Sequence, residues 1–103
     1  MTAIDPYQQQ VRATSLRDAS LTHDLISLRS TVAEVLRNRT EWVLVDVSGL
    51  SRPSSSAVAA LLWAKRSCAR GGVDFGVRGA WHGNREVLRR CGLLSTPDSV
   101  EPT

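Results

Sequence analysis

The chain reads as a single α/β domain in which a small sheet with parallel central strands is flanked by about three helices. Helix-spaced and strand-like apolar segments alternate from residue 22 to residue 92, and the connection over residues 48 to 72 is long enough for a right-handed parallel crossover. Size is the third observation, because 103 residues can bury one core but not two. The folded core is expected over residues 11 to 94, with 95 to 103 as a flexible tail.

Val11 to Leu16 alternates weakly, which suits a short edge strand. A helix pattern opens at Thr22 as N-cap, with Asp24 in the first turn. Leu25, Leu28, Val32 and Val35 or Leu36 then recur at three- and four-residue steps until about Arg39. Trp42 to Val47 is an apolar, β-branched run broken only by Asp46, the pattern of a central strand buried on both faces.

Ser48 to Pro53 forms a turn, after which Ser54 to Arg70 reads as a helix capped by its serine run and closed by Gly71 and Gly72. Its inner face is Ala57, Leu61, Ala64 and Cys68. Val73, Phe75 and Val77 alternate with polar residues as a further strand. The last helix has Asn84 as cap, Glu86 near its positive end, Val87, Leu88 and Cys91 as apolar face, and Gly92 as stop. The segment after Leu94 is too polar and proline-bearing to pack.

Composition narrows the function classes. Apolar residues make up 42% and charged residues 22%, an ordinary globular mixture that argues for folding. No apolar run approaches the roughly 18 residues that cross a bilayer, and MTAIDPYQQQ lacks the pattern of a signal peptide, so a cytoplasmic location is expected. Cys68 and Cys91 fall on helical segments among apolar neighbours, as buried free thiols, and no metal-ligand spacing is present. The net charge is +3, from twelve arginines and one lysine against ten carboxylates. The arginines are scattered and form no block, so no nucleic acid is expected; a positive balance also suits acidic protein partners and anionic surfaces.

No catalytic residue or cofactor is expected. His23 and His82 stand apart from any serine or cysteine elbow, there is no phosphate-binding glycine loop, and Asp46 and Asp74 are isolated on strands.

Residues 43 to 72, VLVDVSGLSRPSSSAVAALLWAKRSCARGG, carry the most specific signal. Asp46, Ser48 and Gly49 leave a buried strand; Ser55 and Ser56 open a helix; Val58, Leu61 and Leu62 are its apolar positions; Gly71 and Gly72 close it. In order, spacing and residue type this resembles the signature of the STAS family of anti-sigma-factor antagonists, and the likeness continues more loosely over residues 22 to 94. Ser54 stands where the family has an aspartate and Ala57 where it has a glycine, while Asp18 and Asp24 are alternative counterparts of the acidic residue ahead of the first helix. Fewer residues precede that helix than the family's two strands need, and its usual last helix has no counterpart, which makes this a trimmed version.

The resemblance implies a bacterial, non-enzymatic regulator of transcription that binds an anti-sigma factor or serine-kinase-like protein through the helix starting near Ser54. It implies phosphorylation at Ser55, within a switch region of Ser54, Ser55 and Ser56. The alternative it allows is an accessory subunit gripping the ATPase of a lipid-transporting ABC complex; a homodimer is compatible with either.

The switch has physical support apart from the family. A phosphate at a helix start gains roughly two negative charges beside unpaired amide donors, and its charge and bulk act on any partner docked there. The alternative is a serine run that caps and is otherwise solvated. Along the same helix, Ser56, Ala59, Trp63, Arg66 and Arg70 form an outward stripe, and Trp beside Arg is the composition of an interface anchor. A Trp on a helix flank can instead be covered by a neighbouring loop. Trp42 and Trp81, at strand ends, are assigned structural places.

Overall fold

The computed structural model of the chain describes residues 10–39, 41–80 and 82–93. Elements alternate as the apolar spacing requires: β1 (Gln10–Arg17), α1 (Leu21–Asn38), β2 (Glu41–Gly49), α2 (Ser55–Arg70), β3 (Phe75–Arg78) and α3 (His82–Arg90), with one 3-10 turn, Asp18–Ser20, before α1. The strands form a parallel sheet in the order β1-β2-β3. Val11 lies opposite Trp42, Thr14 opposite Val45, and Val45 opposite Val77. Each strand is thus followed by its neighbour on the same side, so two right-handed crossovers place α1 and α2 on one face, side by side and parallel to each other.

That face is the core. Leu16, Val43, Val45 and Val47 from the sheet meet Leu28, Val32 and Val35 of α1 and Ala57, Leu61, Ala64 and Cys68 of α2, all fully buried. The four inner positions expected on α2 are all in place. The expectation that β2 is buried on both faces is corrected: Trp42 and Leu44 are only half-buried, and beside them Val11 keeps 46% of its surface exposed. Strand alternation sends these three residues away from the helices, and both crossovers are spent on the other side.

Helix ends show the largest departures from the sequence-based expectations. Thr22 does not cap α1; the N-cap is Ser20, without a side-chain cap bond, and the Asp24 carboxylate in the first turn accepts from the backbone N–H of Arg17, at the end of β1, at 2.9 Å. Asn84 is not a cap either. It lies inside α3, buried, and its amide Nδ2 donates to the Leu50 carbonyl at 2.9 Å, satisfying a backbone acceptor just past β2. Val87 faces solvent while Leu88 enters the core, and Cys91 sits half-buried in the turn beyond α3 instead of on the helix. Of the two free thiols only Cys68 is buried, which pushes its pKa up.

Both helix stops written as glycine are confirmed in detail. Gly72 and Gly92 adopt φ of +74° and +80°, a left-handed conformation open to glycine. In the first, Val73 N–H donates to Cys68 and Gly72 N–H to Ala69; in the second, Leu93 N–H donates to Leu88 and Gly92 N–H to Arg89. This is the paired-bond termination in which an apolar residue after the glycine packs on the last turn, and Val73 and Leu93 are buried accordingly. For this reason Val73 ends a turn, and β3 begins only at Phe75. Ser48 and Gly49, expected in a turn, extend β2. The assigned place of Trp81 and the expected tail 95–103 lie outside the described residues. Among the described residues no helix is long and apolar enough to cross a membrane.

Candidate functional site

The serine run starts α2 as the sequence suggests. Ser54 is the N-cap, extended at φ −77° and ψ 167°, and its Oγ accepts from Ala57 N–H at 3.2 Å. Ser55 and Ser56 are the first two helical residues, and all three serines are exposed. Their own backbone N–H groups open the helix, where intrahelical acceptors are lacking and an added anion is favoured. The loop before them is tied to the turn after β1, the strand that neighbours β2: Asp18 accepts from the Ser51 backbone N–H at 2.9 Å and from its hydroxyl at 2.6 Å. These bonds hold the Asp18 carboxylate below its ordinary pKa, the Ser51 hydroxyl contributing most.

The two alternative acidic residues ahead of α1 therefore divide. Asp18 faces the loop that leads to the serines. Asp24 is 3% exposed and committed elsewhere, to the Arg17 backbone and guanidinium and to the Ser20 hydroxyl. At the end of β2, Asp46 accepts from the Ser48 N–H at 2.8 Å and pairs with Arg78 at 3.5 Å. Hydrogen bonds from Ser48 first, and Arg78 second, lower its pKa. Asp46 thus closes the strand exit and has no part in the helix face.

Along α2 the stripe Ser56, Ala59, Trp63, Arg66 and Arg70 is exposed throughout. Trp63 retains 37% of its surface, so it is neither core nor fully outward. It forms a wall. Ser56, Ala59, Ala60 and Trp63 of α2 and Leu25, Leu28 and Arg29 of α1 enclose a groove of about 280 Å³ between the two helices. Arg29 covers the Trp63 ring, its guanidinium carbon 5.4 Å from the ring centroid, a cation–π contact that orients both. The neighbour covering Trp63 is therefore a helix and not a loop.

The groove gathers three stripe residues and one of the three serines, Ser56. It leaves Ser55, Arg66 and Arg70 outside, the two arginines continuing the stripe toward the C-terminal end of α2. Arg29 was not among the site residues suggested by the sequence. Its signal was its position beside Leu28 on a helix of otherwise ordinary amphipathic spacing, which becomes informative only once α1 is known to lie beside α2. Ile26, 61% exposed, follows Leu25 on the same helix. Among the described residues there is no group of three or more His, Cys, Asp or Glu that could hold a metal ion.

Comparison with known proteins found no matching family model, no matching curated protein and no matching solved structure.

Proposed function

We propose that this chain is a protein-binding regulatory module of the anti-sigma-factor-antagonist type. It acts by occupancy and not by catalysis, in the bacterial cytoplasm. The observation that carries the proposal is the union, on one helix, of a serine-capped start and an aromatic-walled groove. α2 presents Ser55 and Ser56 at its amide-rich end and Trp63 two turns further on. A partner seated over this helix contacts both, so a phosphate at the helix start would alter the docking of whatever the groove holds.

Ser54 and Ser55 have separable roles in this proposal. The Ser54 hydroxyl is engaged as acceptor for the Ala57 N–H, whereas Ser55, the position matching the family's phosphoacceptor, is exposed at the first helical residue. Incubation with a kinase-like anti-sigma factor and ATP is expected to place one phosphate on Ser55 in preference to Ser54 and Ser56, read by mass spectrometry. Ser54→Asp keeps an acceptor at the cap and restores the family's acidic residue, and is expected to raise the rate. No phosphate at residues 54 to 56 in either protein would reduce the serine run to a helix cap.

Docking itself is tested by Trp63→Ala, expected to weaken binding of that partner by about 2 kcal/mol, or roughly thirtyfold in Kd. The fold should lose less than that, since Trp63 is a partly exposed wall of the groove. Unchanged affinity would remove α2 as the docking face. Binding of an ABC ATPase in place of a kinase, with the serines unmodified, would replace the proposal by the accessory-subunit function.

A further inference from the structure

The groove between α1 and α2 is apolar at its floor and cationic at its rim. Leu25, Leu28, Ala59, Ala60 and Trp63 supply the apolar lining. The α2 sequence SSAVAALLWAKRSCAR contains no carboxylate, and those that α1 carries are already engaged, Asp24 by Arg17 and Glu34 by Arg12. Among the described residues Arg29, Arg66 and Arg70 have no carboxylate partner. Of these, Arg29 lines the concave apolar surface, and Arg66 and Arg70 continue the exposed face of α2 beyond it.

We infer that this groove receives an amphipathic helix of a partner protein, with an aliphatic side chain seated between α1 and α2 and Asp or Glu residues beside it facing Arg29, Arg66 and Arg70. The inference rests on α2 being the docking face and adds the chemistry of what docks. Two parallel helices leave a furrow that a third helix fills with side chains spaced three and four apart. A volume of about 280 Å³ suits one or two aliphatic side chains, at the lower limit of the roughly 300–1,000 Å³ of small-molecule sites. Nucleic acid is disfavoured, because Arg29 already covers the ring face on which a base would stack. Charge selects the occupant: Asp and Glu gain from the rim, whereas Lys and Arg are repelled by it.

The test is titration of the 15N-labelled chain, followed by NMR, with a helical peptide of leucine and glutamate. Its lysine counterpart, phosphatidylglycerol vesicles and a single-stranded RNA oligonucleotide are the comparison arms. The Leu/Glu peptide is expected to shift the Trp63 indole and the amides of Leu25, Ser56 and Ala59, and the Leu/Lys peptide to leave them in place. Arg66→Glu, which breaks no ion pair among the described residues, should weaken Leu/Glu binding by about tenfold, and Arg29→Glu by at least as much. Equal shifts with both peptides, none with either, shifts on the Trp42 side of the sheet, or stronger shifts with vesicles or RNA would each overturn it. The anti-sigma partner bound through Trp63 but not displaced by the Leu/Glu peptide would refute this inference alone. The peptide in the groove with no kinase-like partner bound would refute only the function proposed above.

Discussion

Replacing Leu28 with alanine should destabilise the fold by about 3 kcal/mol, the middle of the range for a buried leucine truncated to leave a cavity. Leu28 is fully buried, one turn ahead of Val32 on the α1 face that packs on Val43 and Val45. It also lines the groove, so it is where core and candidate site share a side chain. The loss should appear in urea unfolding as a lower midpoint at unchanged slope, because the surface exposed on unfolding is nearly the same. A loss below about 1 kcal/mol would mean that α1 collapses into the space, closing the groove from below. The remaining folded protein should then no longer bind the Leu/Glu peptide, a second readout that separates collapse from a rigid cavity.

The order of elements was legible because apolar spacing decides it. The β-branched run of β2 and the three- and four-residue steps of α1 and α2 each have one geometry that buries them, and Ala57, Leu61, Ala64 and Cys68 fell where the spacing put them. Both glycine stops were legible for the same kind of reason, since few other residues take a left-handed φ. Asn84 and Thr22 are good local caps, but the buried Leu50 carbonyl drew Asn84 into the core, and α1 starts at Leu21, one residue ahead of Thr22, with Ser20 at its N-cap. At Asn84, local propensity gave way to a partner 34 residues distant in sequence.

Half of the candidate site was visible in one dimension and half was not. The stripe on α2 follows from helical geometry, so Ser56, Ala59 and Trp63 could be grouped from their spacing. The opposing wall could not. Leu25 and Leu28 were expected as inner residues of α1, and nothing in the residues around Arg29 says that it will lie over the Trp63 ring. Which helix adjoins which is decided by the sheet order, and the sequence left that order open. The exposed side of the sheet was missed for the complementary reason: an apolar β2 reads as buried twice over, while Trp42 and Leu44 are covered only in part.

Asp24→Ala is expected to cost about 3 kcal/mol at neutral pH, more than its place one turn into an amphipathic helix would suggest. The carboxylate is 3% exposed and accepts from the Arg17 backbone at 2.9 Å, from the Arg17 guanidinium at 3.1 Å and from the Ser20 hydroxyl at 2.9 Å. Its removal leaves the Arg17 N–H without that acceptor and unties the end of β1 from the first turn of α1. The same contacts fix the pH dependence. Hydrogen bonding from the Arg17 side chain, opposed by burial and aided by Ser20, lowers the folded-state pKa of Asp24 beneath that of the unfolded chain. A carboxylate of lowered pKa contributes stability that is complete above the unfolded value of about 3.9 and is lost as the pH falls through the folded one. Asp18 and Asp46, also lowered, act in the same direction. The urea midpoint of the native chain should therefore hold from neutrality to about pH 5 and fall steeply below about pH 4. Asp24→Asn keeps the shape, cannot titrate, and should begin lower at neutral pH yet lose less on acidification. If its acid limb were as steep as that of the native chain, the Arg17–Asp24 junction would not be what acid unfolding breaks.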